Sequence, residues 1–212
     1  MLGHRPARPT YCGGMNTHGQ QKYQVRLDHG IAGAGRIAPG AHLVVVVDAL
    51  DGHGLLSTDE TVAAVLDAVA EASEGADRSE GADATERGDG PVHAETVEVL
   101  LVTTPADADG VARRVLERQA DRGDRAVVAI IAAGAVEPDG FRPAVEDQLT
   151  AGAVVDALAA VGIDSSSPEA AVACAAAVSL RRATSHLLTA SASAGELVAT
   201  GRADLVSATR AS

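Results

Sequence analysis

The run LVVVV, residues 43–47, is followed at once by Asp48. Five consecutive apolar residues, four of them β-branched, read as a strand covered on both faces, because a half-exposed strand would alternate apolar with polar. A carboxylate at the end of such a strand must reach water, a hydrogen-bond donor or a cation. The pattern constrains the fold to one that packs layers on both sides of a sheet. It also marks Asp48 as the first candidate for a functional site.

Other segments repeat the theme. YQVRLDHG reads as a short strand with Tyr23, Val25 and Leu27 on one face, and AGAGRIAPG as a Gly-rich turn or short helix. The segment TVEVLLVTT, read as a strand over 96–103, and the run RAVVAIIAAG supply two more strands. Between them lie helical patterns. Ser57 and Glu60 form a capping-box pair ahead of a helix over 57–72, whose stripe is Val62, Val65, Leu66 and Val69. Thr104 and Pro105 suit the opening of the next helix, with Val111 and Val115 facing the core. A helix is expected from Pro143 to Gly162. Another opens at Ser167 and Pro168 and is read as passing beyond His186, a packed boundary histidine. Ser193 with Glu196 caps a last short helix stopped near Gly201. Four strands alternating with helices predict an α/β fold, a largely parallel sheet flanked by helices as a layered sandwich.

Domain organisation follows from composition. Residues 1–22 carry Arg but no apolar core for a secretory signal, and read as a flexible tail. Residues 23–212 form a single domain. Within it, residues 73–91 contain a near-tandem SEGAD repeat and almost nothing apolar, so a disordered acidic insertion is expected there. With 17 basic and 29 acidic residues the formal charge is −12, which disfavours nucleic acid and anionic membranes as partners. The chain has no Trp and one Phe, so it offers almost no aromatic platform for stacked bases. Two cysteines, Cys12 and Cys174, are expected to be reduced, in keeping with a cytoplasmic protein. A homodimer through the Ala-rich helices is a possible assembly.

The second cluster of candidates lies in AAGAVEPDGFRPAVED, residues 132–147. The strand ends at Gly134, the loop carries Glu137 and Asp139, and the next helix begins with Arg142, Pro143, Glu146 and Asp147. Acids in a first turn commonly complement the helix dipole. Adjacent residues on a helix point about 100° apart, however, so one acid can serve the cap while its neighbour faces a site. In open α/β sheets ligands sit outside the carboxyl ends of strands. Asp48 and these acids meeting there would make an oxygen-rich pocket fit for Mg²⁺. GIAGAGR lacks the dinucleotide glycine spacing, His42, His53 and His93 lack zinc-like spacing, and no P-loop, GxSxG or HExxH occurs.

Three blocks together resemble the 2-phosphosulfolactate phosphatase family: YQVRLDHGIAGAGRIAPGAHLVVVVDAL, VVAIIAAGAVEPDGFRPAVEDQLTAGAVVDAL and SASAGELVATGRADL. The resemblance implies an α/β fold and Mg²⁺-dependent hydrolysis of a small anionic phosphate monoester, phosphosulfolactate to sulfolactate. It implies Asp48 and Glu146 as catalytic residues, Asp48, Glu146 and Asp147 as metal ligands, and Gly134 and Arg142 as substrate contacts. The chain departs from the family pattern at Asp51, Gly52, Ala135 and Gly195, and most of the family's middle region is absent. Those departures fall on acids and arginines. They leave open an alternative: a catalytically degraded member acting as a small-molecule-binding or subunit-interaction module.

Overall fold

The computed structural model describes residues 20–80 and 97–209. Its centre is β2 (Leu43–Val47), whose five residues are all fully buried. β4 (Val128–Ala132) lies beside it and is equally buried. β1 (Val25–His29) flanks β4, and β3 (Glu98–Val102) flanks β2. The sheet order is β1-β4-β2-β3 and every pairing is parallel, with Leu43 opposite both Val128 and Glu98. The expected layered α/β architecture is present.

The pleat sorts side chains to two covering layers. Leu43, Val45 and Val47, with Val128 and Ile130, pack against α3 (Ala108–Arg122), α4 (Val145–Ala160) and α5 (Pro168–Leu180). Val44 and Val46, with Ala129 and Ile131, pack against α1 (Gly30–Ile37) and α2 (Thr58–Glu80). Each buried Val or Ile contributes roughly 1.5–3 kcal/mol of transfer free energy, so a core without aromatic mass still holds. After β2 the chain enters α2 on one face, and after β4 it enters α4 on the other. The crevice between those two exits is the topological switch point, where open α/β sheets place ligands.

Several boundaries differ from the sequence expectation. α2 runs through Glu80, eight residues into the segment read as disordered; once nucleated, a helix gains one hydrogen bond for each further residue fixed. The rest of that segment, 81–91, lies outside the described residues, as do residues 1–19 of the expected tail. Gln20 is tied down: its side chain accepts from Leu27 N–H at 3.1 Å and donates to Leu27 O at 2.9 Å. The helix expected to pass His186 breaks after Leu180 and resumes as α6 (Thr184–Thr189), on which His186 is exposed. α7 (Ala192–Ala199) is capped by Ser191, not Ser193, since Ser191 Oγ accepts from Ala194 N–H. α8 (Ala203–Thr209) follows. A short antiparallel hairpin, β5 (Ala135–Glu137) and β6 (Gly140–Arg142), fills the span between β4 and α4. Sequence patterns do not reveal so short a pair. Leu66, placed on the α2 core stripe, is 43% exposed, while Val65 and Val69 are buried.

α4 and α5 meet through Gly152, where an added Cβ would overlap the carbonyl oxygen of Ala173. Glycine-to-alanine in a helix interior normally gains about 1 kcal/mol. At this position the overlap reverses the sign, and Gly152→Ala is expected to lose about 1–3 kcal/mol. A urea titration showing a lower midpoint at unchanged slope is the check.

Candidate active site at the carboxyl ends of β2 and β4

Asp147 is completely buried at the first turn of α4. Its two oxygens accept from two different chain segments: Oδ1 from Ala49 N–H at 2.8 Å and Oδ2 from Gly134 N–H at 2.7 Å. Ala49 follows β2 by two residues, and Gly134 follows β4 by two. One carboxylate therefore clamps the exits of the two central strands. Gly134 adopts φ +63°, a left-handed conformation that favours glycine, and a Cβ there would strike the Phe141 ring and the Arg142 carbonyl. Burial pushes the Asp147 carboxyl well above the usual carboxylate range; the nearby charge of Asp48 adds to that, and the two backbone donors oppose it.

Asp48 is 5% exposed. Its Oδ2 accepts from the Thr58 hydroxyl at 2.8 Å, and its Oδ1 has no partner among the described residues. Burial raises its pKa first of all, against the Thr58 hydrogen bond and the nearby His53, while the charges of Asp51 and Glu146 push it up further. The Thr58 hydroxyl, with one proton, also lies 2.9 Å from Asp51 Oδ1, and Thr58 N–H donates to the same Asp51 oxygen. Asp51 thus anchors the first turn of α2 to the loop after Asp48. Its pKa is lowered by the Thr58 backbone donor.

Glu146 is 1% exposed, and neither carboxylate oxygen has a hydrogen-bond partner among the described residues. Thr150, one turn further along α4, is fully buried with its hydroxyl unpartnered. His53 is 4% exposed; its Nδ1 lies against the Leu50 carbonyl, and its Nε2 is buried without a partner. Because a carbonyl only accepts, Nδ1 carries a proton. Buried polar atoms are nearly always hydrogen-bonded, so unsatisfied oxygens on two neighbouring buried acids point to a missing cation, proton or water.

The roof comes from the C-terminal helices. Leu50 packs into a small apolar cluster with Ala194, Leu197 and Val206. Glu196 Oε1 accepts from Gly54 N–H at 3.0 Å, and Leu55 N–H bonds the Val136 carbonyl. The Arg142 guanidinium lies against Glu137, Glu196 and the Ser193 hydroxyl. The Gly134 N–H and the Arg142 guanidinium thus face protein partners, and their expected substrate contacts rest on the resemblance alone. Arg202 sits over Gly52 and lowers the Asp51 pKa.

The structure therefore brings Asp48, Glu146 and Asp147 to one rim, and among the described residues no arginine pairs with them. Sequence reasoning gave no site role to His53, Thr58, Thr150 or Glu196. His53 and Thr150 carry no spacing signal. Glu196 was visible only as a capping acid, and its partner is instead a backbone amide 142 residues away. Among the described residues no group of three or more His, Cys, Asp or Glu side chains is arranged to hold a metal ion. The open donors are Asp48 Oδ1 and the two Glu146 oxygens, since both Asp147 oxygens hold backbone amides. Mg²⁺ is commonly held by one or two carboxylates, with water and substrate phosphate completing its shell, and that donor set fits. The chain matches no protein-family model, and no curated protein matches it significantly. No helix among the described residues is long and apolar enough to cross a membrane.

Two tests separate the clamp from the open acids. Asp147→Asn retains one acceptor oxygen but turns an NH₂ toward a backbone amide, leaving a buried donor unpaired; a loss of about 1–3 kcal/mol is expected in chemical denaturation. The second test is pH. Asp48 and Asp147 ionise less readily folded than unfolded. In chelator, the resulting stability is complete below about pH 4, the unfolded carboxylate pKa, and is lost as pH rises through the raised folded values. Asp48→Asn, which keeps an oxygen for the Thr58 hydroxyl, is expected to flatten that loss.

Proposed function

We propose that this protein is a divergent Mg²⁺-dependent hydrolase of small phosphate monoesters, similar to the 2-phosphosulfolactate phosphatases. The observation that carries the reading is the pair of buried acids, Asp48 and Glu146, whose unpartnered oxygens sit at the switch point beside the Asp147 clamp. A bound Mg²⁺ supplies charge neutralisation and a template for the phosphoryl oxygens. Asp48 Oδ1 and Glu146 would hold it. Thr58 fixes the rotamer of Asp48 through the other oxygen. Asp147 keeps the two strand ends at constant separation, so the ligating groups are placed before substrate arrives. With Asp48 Oδ2 held by Thr58 and Oδ1 turned to the metal, the remaining Glu146 oxygen would orient the attacking water and take up its proton as the P–O bond to the leaving alcohol breaks.

One observation favours a second reading, a binding module that has lost turnover. Arg142 is neutralised by Glu137 and Glu196, so it brings no uncommitted positive charge to a phosphate or sulfonate.

Hydrolysis of phosphosulfolactate and of a generic phosphate ester, each with Mg²⁺ and with chelator, tests the proposal. Metal-dependent turnover is expected to fall about 100-fold or more in Asp48→Asn and in Glu146→Gln, the scale seen when a positioned acid–base group is lost. Turnover equal to that of the Asp48→Ala, Glu146→Ala double variant removes the hydrolase reading. Calorimetric Mg²⁺ binding without turnover selects the binding module.

A further inference from the structure

A cavity of about 470 Å³ opens at the carboxyl ends of β1 and β4. Gly30, Ile31, Val136, Phe141 and Pro143 give it a largely apolar wall. Its volume lies within the ordinary small-molecule range, and its place in the sheet is where doubly wound folds bind ligands. Phe141 is the only phenylalanine in the chain, and it stays 44% exposed. The ring is not loose. A Cβ on Gly30 would come within 2.7 Å of it, and a Cβ on Gly134 within 2.5 Å. Both glycines have positive φ. Two backbone turns are thus shaped to seat the Cδ2–Cε2–Cζ edge of the ring, while part of it is left to the solvent side.

The polar residues on the wall are already engaged. Arg36 holds Asp28 through two hydrogen bonds of 2.8 and 3.0 Å. His29 Nε2 meets the Gln148 amide oxygen. The cavity therefore offers a fixed aromatic face and aliphatic walls, with no uncommitted positive charge for a compact polyanion.

We infer that this cavity binds the planar apolar part of a small organic ligand, an aryl group stacked on Phe141. Gly134 joins it to the acids, because the same residue seats the ring and donates its N–H to Asp147. As a subsite of the hydrolase, which rests on the reading above, the cavity selects aryl phosphate monoesters over small polar ones such as glycerol 3-phosphate. As a ligand cavity it does not depend on that reading.

A single phenylalanine makes the test direct. Full-length protein labelled with 4-fluorophenylalanine carries one ¹⁹F resonance, at Phe141. Phenol and phenyl phosphate are each expected to shift it saturably, with Kd on the order of 1 mM or tighter; glycerol 3-phosphate is not. Ala32→Trp, on an exposed cavity-lining position of α1, is expected to weaken the aromatic response about tenfold while leaving Mg²⁺ binding unchanged. No shift from either aromatic up to about 10 mM, or an equal shift in Ala32→Trp, overturns the proposal. So does a ¹⁹F shift that follows protein concentration alone, which assigns the face to a second copy of the chain. A saturable shift with no hydrolysis of phenyl phosphate keeps the cavity and removes its role as a subsite of the hydrolase.

Discussion

One buried carboxylate organises the functional end of this molecule. Asp147 accepts an amide proton from the exit of β2 and another from the exit of β4. Those exits lead to helices on opposite faces of the sheet, so nothing in the strand ladder alone sets the width of the crevice between them. A buried carboxyl that accepts from two backbone donors does so, because hydrogen bonds are short and directional. Asp48 and Glu146 are then held one residue away from the clamp on either side: Asp48 precedes Ala49, and Glu146 precedes Asp147. Their convergence is a consequence of the clamp.

The same arrangement creates an electrostatic problem. Asp48, Glu146 and Asp147 are each at most 5% exposed, and among the described residues no arginine pairs with any of them. Asp147 is compensated by amides and Asp48 in part by the Thr58 hydroxyl. Glu146 has neither. Uncompensated charge in a low-dielectric interior is resolved by protonation or by a counter-ion. The Mg²⁺ proposed for this crevice would supply the second of these.

Around the acids the C-terminal third of the chain acts as a cover. Leu50 anchors α7 and α8 through apolar contact, Glu196 takes the Gly54 amide, and Arg142 ties the β5–β6 hairpin to α7. The hairpin divides the rim. Its Val136 carbonyl faces the 54–55 loop, while Phe141 faces α1 and the apolar cavity. Two chemically distinct compartments, one acidic and one apolar, thus flank a single glycine turn.

Much of this was legible in the chain. The continuous runs at 43–47 and 128–132 specify strands buried on both faces, and a parallel sheet with two helical layers follows from them. The Ser57–Glu60 capping box is present, with Ser57 N–H bonded to Glu60 and Ser57 Oγ close to Glu60 N–H. Asp48 and the Glu146–Asp147 pair stood out because carboxylates at strand ends and helix starts are conspicuous against apolar runs. Their division of labour was not legible. Adjacent acids on a helix diverge by about 100°, and only the tertiary fold decides that Asp147 meets two amides while Glu146 meets none. The sequence alone determines periodicity, and with it the elements and the two-sided core. Contacts across 98 and 142 residues, such as Asp147 with Ala49 and Glu196 with Gly54, have no local signature. They depend on the order in which strands are laid beside one another, and that order was settled only when the chain packed.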